Sequence, residues 1–389
     1  LTLAWSGALD ETARRRRGLR LAVQVADIGL LLAAASAIQS VGTSAFSGAP
    51  SDTFGLATFL LVLLPVAARV GALAVIGGGP QATVAFEPAI AWLAPAGYLL
   101  MRMLALMGGR LPDRPTAVVL FAVGALVALG FAGLALFERP GPRLAALLLV
   151  AQAALALAFS TGSDPLMTVA CTWLWLLLVP LAGLASVRVA SGSAAEVLTM
   201  INLAMIPGSV AFIGLWLGGL ALNARGLLFG MIPVLLVVGL AAIATLSRIV
   251  PLRRVRVEIA AVWGAGLLLI AAFPIVVMDH LVVPAAATVR VVPRGTIATS
   301  LFGIVAGGGT WPAFVVSLVV GLVLGLAVWW LRLHAPTQPS ARGGGLFVAW
   351  KWPSAWKLPG VWLPAVPEWS RFLLWGAFGI AVFNVLTRP

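Results

Sequence analysis

Long apolar runs follow one another through almost the whole of this chain, and charge hardly enters them. Apart from residues at or close to the ends of the runs, only Asp27, Arg69, Glu87 and Arg102 stand within them, with Asp279 and His280 near one rim. A charged side chain is expensive at bilayer depth, so those that persist are candidates for function. Their scarcity constrains the chain as much as their presence. A proton or ion path needs a relay of titratable groups, and only fragments of one can be assembled here. With 389 residues, 61% hydrophobic and 10% charged, and a mean hydropathy of +1.08, the chain reads as a polytopic membrane protein rather than a soluble domain with a large core.

A spanning helix needs about 20 mostly apolar residues. Runs of that kind occupy 20–41, 54–76, 84–108, 116–137, 143–161, 165–187, 195–222, 225–249, 257–283, 309–331 and 368–386. The expected fold is therefore all-α, a polytopic membrane helical bundle of about eleven transmembrane helices, at least one of them discontinuous. A cytoplasmic basic segment (1–19) precedes a transmembrane bundle (20–285). A loop with an additional transmembrane helix (286–332), a Trp/Pro-rich interfacial segment (333–367) and a C-terminal transmembrane helix (368–389) follow.

Loop charges give an orientation. With the N-terminus in the cytoplasm, seventeen basic residues fall inside: Arg14, Arg15, Arg16, Arg17, Arg20, Arg139, Arg143, Arg188, Arg248, Arg253, Arg254, Arg256, Arg332, Arg342, Lys351, Lys357 and Arg371. Six fall outside: Arg110, Arg114, Arg225, Arg290, Arg294 and Arg388. This bias fits the positive-inside rule, an odd number of spans and an extracytoplasmic C-terminus in the cytoplasmic (inner) membrane. It also accounts for the net charge of +13 without nucleic acid as a partner. Trp350, Trp352, Trp356 and Trp362, interleaved with Lys351 and Lys357, suit a strap at the headgroup level of the lipid bilayer, or an arm that binds a partner.

Several chemistries find no support. The single cysteine, Cys171, excludes an intrachain disulfide, and a content of two histidines and one cysteine argues against a protein-bound zinc, haem or iron–sulfur centre. No cofactor is expected. Gly77-Gly78-Gly79-Pro80 lacks the Lys and Ser/Thr of a phosphate loop and reads as a tight turn. A membrane transferase would need clustered extracytoplasmic carboxylates, whereas Asp52, Asp113, Asp164 and Asp279 are scattered singly. Asp279-His280 reads as an extracytoplasmic cap rather than a catalytic dyad.

The seventh run contains Ala204-Met205-Ile206-Pro207-Gly208-Ser209-Val210-Ala211-Phe212-Ile213-Gly214. Pro207 removes an amide donor and Gly208 frees the backbone, so the helix kinks or breaks there. Broken backbone in a membrane survives where protein or a water-filled cavity satisfies it, and transporters use such breaks to aim helix ends at ions.

This break resembles the discontinuous helix of the antiporter-like subunits of respiratory complex I, membrane hydrogenases and Mrp-type antiporters. The M-chain type is the nearest form, with a motif reading roughly Met-Pro-Gly-Thr-x-x-Phe-Val-Gly-Glu. Pro207-Gly208-Ser209, Phe212 and Gly214 match, and Leu215 stands at the Glu position. Gly79-Pro80 followed by Ala96-Gly97-Tyr98-Leu99-Leu100-Met101-Arg102 resembles a second family helix. Phe137-Glu138-Arg139 through Arg143-Leu144-Ala145 and Gln152 resembles a third segment. Arg256-Val257-Glu258 leading to Phe273-Pro274 and Asp279 resembles a fourth. The likeness covers roughly 10–285 in the family's order. It begins after the family's first five helices, which implies that a longer chain precedes Leu1, or that this is a truncated relative.

The resemblance implies an antiporter-like bundle. It further implies an integral, non-catalytic subunit of a redox-driven or ion-translocating complex of the oxidoreductase type, with other membrane subunits as partners. The same comparison implies losses. Family members move protons through buried Lys, Glu and His. Here Ala94 or Pro95 stands at one Lys position, Thr172 and Leu176 stand near a His and a Lys, and Arg69 lies nearest the Lys of the family's other broken helix. Arginine hardly deprotonates and relays poorly. The expectation is a scaffold with its proton pathway reduced or lost, in a structural or supporting role. The alternative is a standalone or two-component ion or solute transporter subunit, for example for inorganic-carbon or cation uptake.

Candidate ion-pathway residues are therefore Arg69, Glu87, Asp27 and Arg102, with the helix break at Pro207 and Gly208. Arg69 and Glu87 lie on adjacent runs and could form a buried pair, a channel remnant or two rim-facing groups. Asp27 could pair with Arg20 or a partner helix, or hold a proton. Gln152 and Asn202 could supply interhelical hydrogen bonds.

Overall fold

The protein is described by a computed structural model covering residues 24, 27–39, 54–76, 82–109, 111, 113–138, 141–187, 193–226, 228–247 and 259–334. The basic N-terminal segment, nearly all of the Trp-rich strap and the C-terminal span expected at 368–386 lie outside the described residues. Helices α1 (Asp27–Gln39), α2 (Leu56–Ile76), α3 (Ala82–Leu106), α4 (Arg114–Ala135), α5 (Pro142–Ser160) and α6 (Pro165–Ser186) come first. They are followed by α7 (Ala194–Leu203), α8 (Val210–Ala224), α9 (Leu228–Leu246) and α10 (Ile259–Ala272). A short α11 (Ile275–Val277) runs through a π-helical segment (Met278–Val282) into α12 (Val283–Val289). Strands β1 (Ile297–Ser300), β2 (Gly303–Ala306) and β3 (Gly309–Trp311) precede α13 (Ala313–His334).

Local chemistry sets the helix starts. Asp113 caps α4 by accepting from the Thr116 amide at 2.8 Å, and Asp164 caps α6 by accepting from the Leu166 amide at 2.9 Å. Pro115, Pro142 and Pro165 occupy first-turn positions, where the missing N–H costs nothing. Ser193-Ala194-Ala195-Glu196 reads as a capping box, and Ser193 Oγ accepts from the Glu196 amide at 3.3 Å. Two of the scattered aspartates, Asp113 and Asp164, are thus explained as caps.

Among the described residues, five helices are long and apolar enough to cross a membrane, and the bent pair α10 with α11–α12 makes a sixth if it is one span. These five (in α2, α4, α5, α6 and α9) fall close to the runs read from the sequence. The seventh run divides into two shorter helices, α7 and α8. The ninth, read as one span over 257–283, bends by 78° where Phe273-Pro274 interrupts it. Pro274 cannot donate to the helical ladder, which accounts for the bend. A further departure lies beyond it. The stretch 297–311 forms a three-stranded antiparallel sheet in the order β1-β2-β3, so the helix expected from 309 begins at Ala313. Among the described residues, the all-α description holds apart from this sheet.

Helices α5 and α6 form the centre. Their apolar windows are 89% and 78% buried, against 17% for α4 at the periphery. Packing is close because small residues line the seams. Ala125, Ala128, Ala132 and Ala135 are the buried face of α4. Gly214 and Gly218, one helical turn apart on α8, meet Leu174 and Phe159. A Cβ at Gly214 would lie 2.7 Å from Leu174 Cγ, and one at Gly218 would lie 2.4 Å from the Phe159 ring.

Candidate functional site

The interrupted helix is built from its sequence. Helix α7 ends at Leu203 and α8 starts at Val210, with Ser209 at its N-cap. Between them Met205 has φ 55 and Gly208 has φ 89, and the Ser209 amide donates to the Ile206 carbonyl at 2.9 Å. Pro207 followed by a left-handed glycine, closed by that bond, is the residue pattern of a type II turn. Met205 holds a left-handed conformation uncommon outside glycine. Two side chains anchor the ends. Trp173 Nε1 donates to the Val210 carbonyl at 2.8 Å. Asn202 Nδ2 donates to the Leu198 carbonyl at 2.9 Å and across to the Gly264 carbonyl of α10 at 3.0 Å. Helix α13 walls the break: a Cβ at Gly208 would lie 3.3 Å from Val320 Cβ and 3.5 Å from Ser317 Cα.

The second feature joins α1 to α2. Arg69 Nη2 lies 2.8 Å from Asp27 Oδ1, with the two side chains 14% and 54% exposed. Arg69 Nη1 also donates to the Pro65 carbonyl at 3.3 Å. Pro65 leaves the Leu61 carbonyl without its helical donor, and Gly29 lets α1 approach there: a Cβ at 29 would lie 3.4 Å from that oxygen. Ser36 and Thr58 hydroxyls meet at 2.9 Å farther along the antiparallel pair. Among the described residues, Arg69 thus pairs with Asp27. Glu87 lies within the first two turns of α3, and its side chain lies outside the described residues. Arg102 is exposed near the end of α3.

Several other polar groups are hydrogen-bonded. Asp279, with His280 in the π-helical segment, accepts from Thr299 Oγ1 of β1 at 2.6 Å, and both residues are exposed. Arg225 at the end of α8 reaches Asp164 Oδ2 at 3.4 Å and Ser163 Oγ at 2.6 Å. In the interior, Gln152 Nε2 donates to the Leu174 carbonyl at 3.3 Å and Thr172 to the Thr168 carbonyl at 2.8 Å. Among the described residues, no Asp, Glu, Lys, Arg or His is buried as a whole, and no group of three or more His, Cys, Asp or Glu could hold a metal. Gln152 and Asn202 do bond across helices. Ser317 went unread in the sequence, because nothing marks one serine in an apolar run as facing a break more than a hundred residues earlier.

The described residues thus form a bundle of apolar helices around an interrupted one. No family model and no curated protein matches the chain. Solved structures do. A chain of the membrane-bound sulfane sulfur reductase, an archaeal respiratory membrane complex, matches with a TM-score of 0.64 at 13% identity over 98% of this chain and 70% of that one. A chain of the Mrp complex from Dietzia sp. DQ12-45-1b matches with a TM-score of 0.60 at 14% identity over 98% of this chain and 45% of that one. The chain shares the fold of these two membrane-complex chains at distant sequence similarity.

Proposed function

We propose that this chain is an integral membrane subunit of a multisubunit redox-driven or ion-translocating complex, with its own proton pathway reduced or lost. Its role is structural or supporting, and its partners are other membrane subunits. One observation carries the reading. The antiporter-like fold keeps its interrupted helix, while the positions around it hold apolar side chains or neutral groups bonded to backbone, such as Leu215, Thr172 and Gln152. Water-linked proton transfer needs groups that gain and lose protons near neutrality, and Leu, Thr and Gln do neither.

On this reading the whole chain crosses the cytoplasmic membrane about eleven times. Its N-terminus lies inside and its C-terminus outside, as the distribution of arginine and lysine favours. The test is proton flux through the purified chain in liposomes. No flux above empty liposomes is expected, with or without an imposed pH gradient.

A transporter reading has one observation in its favour, the partly buried Asp27–Arg69 pair between α1 and α2. Flux of an ion or solute that disappears in Arg69→Ala or Glu87→Gln would establish it.

A further inference from the structure

Helix α3 presents two unlike faces. Leu93, Ala96, Leu100 and Met103 are buried, and α3 packs on α2 and α6. Gly97 brings the Trp175 ring close: a Cβ there would lie 3.1 Å from Trp175 Cε3. Ala94, Pro95, Tyr98 and Arg102 are exposed, and their spacing places them together on the opposite side. Tyr98, the only tyrosine of the chain, is 68% exposed. Among the described residues, neither the Tyr98 nor the Arg102 side chain has a hydrogen-bond or ion-pair partner.

Both groups lie deep for polar side chains. On the span read over 84–108, Arg102 is six residues, about 9 Å, from the nearer end. Tyr98 is ten residues, about 15 Å, from it, near the middle of a hydrocarbon core of about 30 Å. The nearer end is the C-terminal one, and helical side chains leave the backbone leaning towards the N-terminus. Reaching back to the headgroups works against that geometry, and a lipid phosphate does not come to the depth of Tyr98. An arginine at membrane depth faces protein or an opposite charge. Arg102 faces outward, so what covers it comes from outside the described bundle.

Charge names the occupant. Arginine offers five donors and no acceptor, and the tyrosine hydroxyl one turn away adds another donor, so the matching group is a carboxylate. Within its membrane runs the chain's own carboxylates are Asp27 and Glu87. Asp27 is engaged by Arg69, near the end of α2 that leads into α3. Glu87 precedes Arg102 by fifteen residues, about 22 Å along the helix. Both lie towards the other end of α3, and a second copy inserted the same way round would bring them to the same mismatched depth. Ala94 and Pro95 keep the surface beside the polar pair low, which close approach of helices in a membrane requires.

We propose that this face of α3 receives a transmembrane helix of another subunit, whose carboxylate accepts from the Arg102 guanidinium and the Tyr98 hydroxyl. The proposal rests on the reading of the chain as a subunit of a membrane complex, and adds where a neighbour sits and which group it brings.

Photo-cross-linking in the membranes of the chain's own cell tests it, with p-benzoylphenylalanine replacing Tyr98 in the full chain and adducts identified by peptide mass spectrometry. The expected product joins position 98 to one other membrane polypeptide, within a turn or two of an Asp or Glu. Arg102→Glu should lower its yield by about tenfold or more, since a like-charge contact replaces an ion pair. Changing that partner carboxylate to lysine should restore it. The melting temperature of the isolated chain should be the same with and without Arg102→Glu, because the open face takes no part in the chain's own packing. Adducts to lipid alone, to a second copy of this chain, or none at all would overturn the proposal. So would a yield that Arg102→Glu leaves unchanged or the reciprocal exchange fails to restore, and so would a fall in melting temperature. Native mass spectrometry of the unmodified chain separates the two readings. Lipid adducts alongside a defined assembly reject this surface only, whereas a lone chain rejects the subunit role as well.

Discussion

Arg69 Nη2 lies 2.8 Å from Asp27 Oδ1, and this contact joins α1 to α2 across 42 positions of sequence. Arg69→Ala removes the guanidinium and leaves a carboxylate in an apolar helix pair. The expected loss of stability is about 1–3 kcal/mol, towards the lower end because the Asp27 side chain is half exposed. Replacing both residues with leucine should recover most of it, since an apolar pair needs no partner. Thermal unfolding of the single and double variants in detergent measures the coupling. A double variant as unstable as Arg69→Ala would show that the pair contributes through something other than charge.

Gly218 and Gly219 are adjacent on α8 but face different neighbours. A Cβ at Gly218 falls 2.4 Å from the Phe159 ring, whereas one at Gly219 falls 3.8 Å from Met231 Cε, an ordinary contact. Gly218→Ala should therefore destabilise by about 1–3 kcal/mol through overpacking. Gly219→Ala should be neutral or slightly stabilising, because alanine suits a helix better than glycine. Melting temperatures of the two variants side by side give the answer.

The turn at the break can be tested in the same way. Gly208 has φ 89 and its missing Cβ would press to 3.3 Å from Val320, while Gly226 has φ 68 and open space around it. Gly226→Ala should cost about 1 kcal/mol, the left-handed conformation alone. Gly208→Ala should cost more, and the difference in unfolding free energy isolates the contact with α13.

Asp113 gives a pH dependence. Its hydrogen bonds with Thr116 hold its carboxyl below the ordinary value of 3.8. A lowered folded value means that the stabilisation is fully present above the ordinary carboxylate range and fades as pH falls through the folded value. Asp113→Asn keeps a good cap without the titration. The difference in melting temperature between the natural chain and Asp113→Asn should therefore be constant near neutrality and change only in strong acid.

Much of the bundle was legible because apolar run length reports membrane-compatible helices directly. The runs 143–161 and 165–187 correspond to α5 and α6, and Pro207-Gly208 marks where α7 gives way to α8. Three features were hidden for physical reasons. The partner of Arg69 depends on how α1 packs on α2, which no local pattern encodes. The 78° bend at Phe273-Pro274 depends on which neighbours accept the two arms, since a proline in a run also fits a mild kink. Strands β1 to β3 are three or four residues long and rich in glycine and threonine, so their pattern is that of a loop until they pair.

A subunit role is tested most directly by native mass spectrometry of the chain extracted in mild detergent from the membranes of its own cell. The expected result is a defined assembly in which this chain sits at fixed stoichiometry with other membrane subunits and with a partner that carries a redox cofactor or ion-translocating machinery. A lone, stable monomer that moves ions by itself after reconstitution would contradict it.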